Sequence, residues 1–537
     1  MTEKTTDRSV LIVVPPLVDY DSELEKKSGK PDFEKRRLVS PLEPMSCAAD
    51  LLRRGYDVQF LDLGTCETRR ERKDHLREKL KTHRPDAVVA VQSILTFATA
   101  SDWDGAAVFA IVRDICPKAA TILTGTHATN YPGQAVADGT VDYSIRGEVD
   151  FAVGDLLDAL GTGGDLGKIA GLSFKRDDVI NTSPNYPDVT LTDLPLPAYQ
   201  ILDDWHTRRY ENILERGKIR YPARSSRYRD IMTSRSCILR CSFCSVAHLR
   251  GQRQKHRRKD IDQILREIEQ ALEDGIEEIH FFDDLFAETP EQIIRFTEEI
   301  RRRGLTFPWF VAQGMNLWSL NDEAIQAMAE AGMYRLIAPL ESGNNRVLRE
   351  VVGKIHSSVE HHHDMIQSSH RHNLEIIGMY VVGLMGESRA ELLDTIEFAE
   401  SHPEVDYSVF SIATPMIGTR LTKKVSKAGH LEDQNAVNKV IKRTVALYRT
   451  EAFREYELGI IRAFDWDRVN FSTLEQRRKY AGMVGVTLDE LDQMRAHSKE
   501  TFFSYFPNYD GPLSFKELYG HPDLFAQLEP TIPDTLY

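Results

Sequence analysis

The sequence predicts an α/β protein built as two strand-and-helix units followed by a helical tail. Three observations predict it. Short runs that are apolar throughout and rich in β-branched residues alternate with helical patterns, which is how parallel strands covered on both faces read. The alternation fills residues 1–160, breaks up over 161–228 and resumes over 229–429, with a mixed, mostly helical stretch over 430–537. At 537 residues the chain also exceeds one hydrophobic core, so more than one domain is expected.

In the first unit SVLIVVPP is a short strand closed by a double proline, and PMSCAADLLRRG a helix ending near Gly55. YDVQFLDL, DAVVAVQS, ATILTG and VDYSI are further strands; VFAIVRDIC and FAVGDLLDAL are helices between and after them. Such sheets bind ligands beyond the carboxyl ends of their strands, where the turns VPP, QSILTF, GTHAT and RGE fall. The segment 161–228, with GTGGDLGK and the proline-punctuated TDLPLPAYQILDDW, reads as a linker lying over both neighbours.

The second unit opens with RDIMTSRSC, a strand running into a cysteine loop. DIDQILREIEQALEDG carries apolar residues at 261, 264, 265, 268 and 272, one face of a helix. EEIHFFDDLF, PWFVAQGMN, YRLIAPLESG, LEIIGMYVVGLMGE and YSVFSIATPMIGT are the later strands, with helices between them, including 358–372 and 389–401. Six strand-plus-helix units are too few for a closed eightfold barrel, so a partial barrel is expected.

Composition excludes several classes. No apolar run approaches the roughly 20 residues a membrane-spanning helix needs. The polar start does not read as a signal peptide, so a cytoplasmic protein is expected. A net charge of −14 argues against a nucleic-acid binder that works by neutralising phosphates. Of the six cysteines, Cys47, Cys66 and Cys116 are scattered in apolar or helical surroundings and read as packed thiols.

The other three stand apart, in TSRSCILRCSFCSVAH, at 237, 241 and 244. A structural zinc ion needs a fourth ligand, for which His248 is the close candidate. A redox C-x-x-C pair leaves Cys237 unexplained. Three thiolates are enough to hold a 4Fe-4S cluster with one iron open to an outside ligand, which is the preferred reading.

Cys237-x-x-x-Cys241-x-Phe243-Cys244 resembles the radical SAM motif, aromatic residue included. The resemblance implies a 4Fe-4S cluster whose open iron is chelated by S-adenosylmethionine (SAM). It also implies an order of binding signals along the barrel: Asp283 and Asp284 end the second strand, Gln313 and Asn316 the third, and Glu341-Ser342-Gly343 the fourth. The fifth carries Gly378, Gly383, Gly386 and Glu387, and Pro415 and Gly418 close the sixth. By resemblance Phe243 lies near the adenine, Glu341 and Ser342 near the ribose or methionine end, Gly383 in the same binding set, and Asp284 or Gln313 facing SAM or substrate.

The first unit resembles the Rossmann-like cobalamin-binding domain that precedes one branch of these enzymes. Its marks are VPP at 14–16, the loop at Gln92-Ser93, Gly125-Thr126-His127 and Arg146-Gly147-Glu148. Two departures occur: T-G-T-H stands in place of a paired-glycine, proline-histidine run, and RGEVD in place of R-G-E-G-E. No Asp-x-His-x-x-Gly motif is present, so cobalamin without an axial histidine is implied, with His127 a cofactor-tail or structural residue. Ser93, Gly125, His127, Gly147 and Glu148 are the implied cobalamin residues.

The basic run HLRGQRQKHRRKD, 248–260, reads as a solvated helix entrance, with an anion-binding lip as the functional alternative. His361 to His363 read as a solvated helix face. Over residues from about 10 to 425, the resemblance implies a cobalamin-dependent radical SAM methyltransferase. In that family one SAM methylates reduced cobalamin and a second yields the 5'-deoxyadenosyl radical. The radical abstracts hydrogen from the substrate, which then takes methyl from methylcobalamin. The stretch from FFDDLF through LESG, with Gln313 and Trp318, is similar to the phosphinothricin (bialaphos) P-methyltransferases and the fosfomycin-pathway C-methyltransferase. That implies a small anionic phosphinate or phosphonate substrate, with phosphorus of N-acetyldemethylphosphinothricin preferred, and a flavodoxin-like or ferredoxin-like electron donor. No nucleic-acid or membrane partner is expected. The alternatives are C-methylation of a phosphonate or other small molecule, and a cobalamin-dependent radical cyclase.

Overall fold

A computed structural model describes residues 8–15, 40–66, 68–92, 105–216, 222–251, 255–430 and 446–521. The expected loop at Ser93 and most of QSILTF lie outside them, as does Pro16.

The first sheet has seven strands. Five are parallel: β1 (Ser9–Val14), β2 (Asp57–Asp62), β3 (Ala87–Gln92), β4 (Ala120–Gly125) and β5 (Tyr143–Ile145). They are ordered β2-β1-β3-β4-β5, and their alternate residues feed two separate apolar layers, one on each face. Two-sided burial is why these strands lack a polar alternation.

The sheet does not stop at residue 160. From the stretch expected as linker, β6 (Leu172–Arg176) pairs antiparallel with β5, and β7 (Val179–Thr182) pairs antiparallel with β6. Other described residues of that stretch touch both units. The Gln263 amide donates to the carbonyls of Leu191 and Leu194, while Tyr210 donates to Asp62 at 2.7 Å.

The second sheet is the partial barrel. Its six strands are β8 (Tyr228–Ile231), β11 (Glu278–Phe281), β12 (Trp309–Val311), β13 (Met333–Glu341), β14 (Glu375–Val382) and β15 (Tyr407–Ile412). All are parallel, in the order β15-β14-β13-β12-β11-β8. A small ribbon of β9 (Ser234–Arg235) and β10 (Arg257–Arg258) sits above β8. Helices such as Ile261–Glu273, Pro290–Arg302 and Val359–Arg371 cover the outer face through Ile264, Phe296 and Ile366.

Helices within residues 455–505 cover the barrel's other face. Phe310, Tyr334, Ile337, Ile377 and Val409 point to the other face and pack against Phe471, Tyr480 and Leu491 of the tail helices. Asn470 accepts from the Ser408 amide and donates to its carbonyl, occupying backbone groups of the edge strand β15. No helix of the described residues is long and apolar enough to cross a membrane.

Candidate functional site

The cysteine loop leaves the end of β8 and is held by backbone contacts. The Ser242 amide donates to the Val352 carbonyl at 2.8 Å, and the Leu421 amide donates to the Ser242 carbonyl at 2.8 Å. Beneath the loop Asp283 accepts from the Thr233 and Ser234 amides and the Thr233 hydroxyl. Complete burial lifts its carboxyl to about 6 against those bonds. Asp284 accepts from the Ser236 amide at 2.8 Å, beside Cys237. Ser236 itself sits at φ 67°, a left-handed geometry that the two aspartates hold in place.

All three thiols are half-buried. Burial pushes Cys237 up to about 11 and Cys241 up to about 12, and raises Cys244 as well, so metal binding here displaces protons. Lys354, itself buried, opposes that rise at Cys241 and Cys237. Its ammonium lies 2.8 Å from Glu341 and donates to the Pro339 carbonyl. Burial alone would lower Lys354; the Glu341 carboxylate outweighs it and raises it.

Among the described residues no three His, Cys, Asp or Glu side chains are gathered to hold a single metal ion. His248, the candidate fourth zinc ligand, instead pairs its Nε2 with Asn130 of the first unit at 3.1 Å. Three thiols on one loop, each free to bind a separate iron and with a buried ammonium beside them, suit the open 4Fe-4S cluster.

The other expected barrel residues ring this loop. Phe243 packs with Cys241 against Val351, Leu384 and Leu421. Glu341 ends β13 at φ 63°, and Ser342 is buried, its hydroxyl 2.9 Å from Thr395. Gly383 sits at φ 81°, and a Cβ there would meet Leu458 of the tail at 2.3 Å. Its amide and that of Leu384 donate to Glu387, whose carboxyl burial lifts to about 8. Gln313 is half-buried just past β12. Sequence reasoning missed Lys354, whose lone position in a loop gives no signal.

In the first unit Gly125 ends β4 at φ 94°, opening into a run of small residues. Thr129 donates to the Gly125 carbonyl and accepts from the Gly147 amide, joining two loops that the sequence marks separately. His127 is half-buried, and burial lowers its pKa. Small residues at the carboxyl end of β4 let a broad, flat cofactor approach the backbone there, although Thr126, Ala128 and Thr129 are buried and the space beside Gly147 is taken by Tyr186, 2.9 Å from where a Cβ would sit. At that end of β4 the residues fit the group the sequence implies.

Glu148 is engaged elsewhere. It accepts from Arg257 at 2.6 and 2.7 Å and from Arg250 at 3.4 Å, with Arg235 3.7 Å away. Asp150 receives both Arg235 nitrogens at 2.5 and 2.8 Å, and Arg250 also donates to Asp284 at 3.0 Å. Three arginines and three carboxylates thus form a buried clamp between the units. Arg235 overcomes the burial of Asp150 and holds its carboxyl down at about 2.

This clamp corrects the reading of the basic run. Arg250 and Lys259 are buried, Lys259 pairs with Glu267 at 2.5 Å, and His256 pairs with Glu288. These residues are neither a solvated entrance nor a lip of free cations; 252–254 lie outside the described residues. The histidine tract is corrected too. His362 is buried, which lowers its pKa to about 3, while His361 bonds the Leu317 carbonyl and His363 meets His402 at 2.9 Å. Cys47 and Cys66 are buried as expected.

The Radical SAM superfamily model matches residues 231–399. The barrel is a radical SAM domain. An uncharacterized methyltransferase of Pyrococcus horikoshii is 28% identical over 415 residues, covering 77% of this chain and 82% of that one. The cytidylyl-2-hydroxyethylphosphonate methyltransferase of Streptomyces wedmorensis is 25% identical over 411 residues, covering 71% and 73%. Beyond the radical SAM domain, the fold matches the cobalamin-dependent S-adenosylmethionine radical enzyme OxsB with aqua-cobalamin bound. The TM-score is 0.66 at 15% identity, over 97% of this chain and 76% of that one. It also matches the radical S-adenosylmethionine methyltransferase TsrM from Kitasatospora setae (0.61, 17%, 78% and 76%). These likenesses establish the fold: an α/β architecture that matches those two enzymes.

Proposed function

We propose that the protein is a cobalamin-dependent radical SAM methyltransferase acting on a small anionic phosphinate or phosphonate. The observation that carries the reading is the clamp. It fixes the loops beyond β4 and β5 against the cysteine loop beyond β8, so the carboxyl ends of both sheets open toward one another. A binding domain clamped over a cluster loop is the arrangement that a reaction with two cofactors and one substrate requires.

When bound, the cluster, SAM and cobalamin supply the radical and the methyl group. The chain's own residues do the rest. Cys237, Cys241 and Cys244 hold the cluster, and Phe243, Glu341, Ser342 and Gly383 shape the SAM side of the opening. The small residues at the end of β4 form the cobalamin side, with Thr129 joining the Gly125 and Gly147 loops. Glu148 and Asp284, expected to contact cofactors, act here through the arginines they bind.

The sequence likeness favours phosphorus of N-acetyldemethylphosphinothricin or its peptide forms as methyl acceptor. The Streptomyces wedmorensis relative supports a second reading, C-methylation of a nucleotide-linked phosphonate. Anaerobic incubation of the reconstituted protein with each substrate, SAM and a strong reductant, followed by mass spectrometry, tests this. A methylated phosphinate supports the first reading and a methylated phosphonate the second. Deoxyadenosine with neither product discards the substrate class.

A further inference from the structure

We propose that a cationic face beside the cysteine loop docks a small acidic one-electron carrier protein. This rests on the radical SAM reading, because it names the partner that feeds the same site. The helix Arg420–Lys427 buries Leu421, Thr422 and Val425 and exposes Arg420, Lys423, Lys424 and Lys427, with no acidic residue among its eight. No salt bridge among the described residues engages any of those four cations. On a chain of net charge −14 such a stripe runs against the overall field.

The stripe is attached to the cysteine loop. Arg420 donates to the carbonyl of Arg240, which lies between Cys237 and Cys241, and to that of Val352 at 3.4 Å. Two residues past Gly353, whose Cβ position lies 2.5 Å from Arg420, Ile355 leaves 64% of its surface exposed. An exposed isoleucine two residues along the chain from this contact, with four exposed cations on the helix, supplies the small apolar element and the charged rim of a transient interface, the rim steering the encounter. The complementary partner is acidic. The residues where it sits lead by one backbone contact to the cluster ligands.

The step this face serves is one electron: the reduced carrier loses it and the cluster gains it, with no bond made or broken. The partner is therefore a protein of the acidic flavodoxin or ferredoxin type. Nucleic acid, the other polyanion a lysine stripe attracts, cannot supply the electron.

An acidic flavodoxin serves as the probe, titrated into the full-length protein while its flavin fluorescence is followed. Binding is expected to weaken steeply with salt. It is expected to fall about tenfold or more in the triple variant Lys423→Glu, Lys424→Glu, Lys427→Glu, and to weaken also in Ile355→Asp. The same variants, reconstituted, are expected to form deoxyadenosine normally with dithionite and slowly with reduced flavodoxin. Equal flavodoxin binding and equal flavodoxin-driven rates in wild type and triple variant overturn the proposal, as does tighter binding of a DNA oligonucleotide than of flavodoxin. Absence of deoxyadenosine with dithionite in the wild type overturns the radical SAM reading instead, and the titration still decides the docking face.

Discussion

Replacing Glu148 with glutamine tests the clamp directly. Glu148 is 3% exposed, and two of the three arginines around it, Arg235 and Arg250, are 4% and 3% exposed. Glutamine keeps the shape and some hydrogen bonding but leaves three guanidinium groups facing two carboxylates instead of three. Breaking a buried ion pair from one side costs about 3–5 kcal/mol, and the retained amide puts this change near the lower end, about 3 kcal/mol. That is roughly a hundredfold in the equilibrium for opening the contact between the units. Native-state hydrogen exchange reads it. Amides around 146–151 and 234–236 are expected to exchange about a hundredfold faster, while those of Ile264 and Ile268 in the outer barrel helix hold their rates. Unchanged exchange at both sides of the clamp would refute the reasoning.

Three further outcomes follow from the same geometry. Alanine at Cys237, Cys241 or Cys244 is expected to abolish iron and sulfide uptake, whereas alanine at buried Cys47 leaves it intact; iron assay and visible absorption check this. Lys354→Met leaves Glu341 buried without its cation and is expected to cost about 3–5 kcal/mol in urea unfolding, so an unshifted midpoint contradicts the pairing. The Glu387 carboxyl is raised from its ordinary 4.5 to about 8, so the native state keeps a proton that the unfolded chain releases. Its contribution to stability is full below about pH 4.5 and is lost as pH rises to about 8. Glu387→Gln removes that slope, and parallel pH profiles for the two proteins would tell against it.

Much of the fold was legible because parallel strands buried on both faces leave uninterrupted apolar runs, as in LIVV and DAVVAV. β7 escaped notice for the opposite reason: VINT is exposed along its whole length and carries no burial pattern. The cluster ligands were legible because all three sit within eight residues. The clamp was not, because Glu148 and Arg250 are separated by 102 positions and only the fold brings them together. A run of basic residues reads as solvated unless the matching acids are known. The histidine tract was misjudged although its clue was present: His362, Met365, Ile366 and Ser369 recur at helical spacing, and all are buried.

Anaerobic product stoichiometry puts the function to its most direct test. With cluster, cobalamin, SAM, reductant and the correct phosphinate or phosphonate, methylated product is predicted to match S-adenosylhomocysteine and 5'-deoxyadenosine one for one. It should vanish when cobalamin is left out. Intact cluster and bound cobalamin with neither SAM-derived product would contradict the assignment.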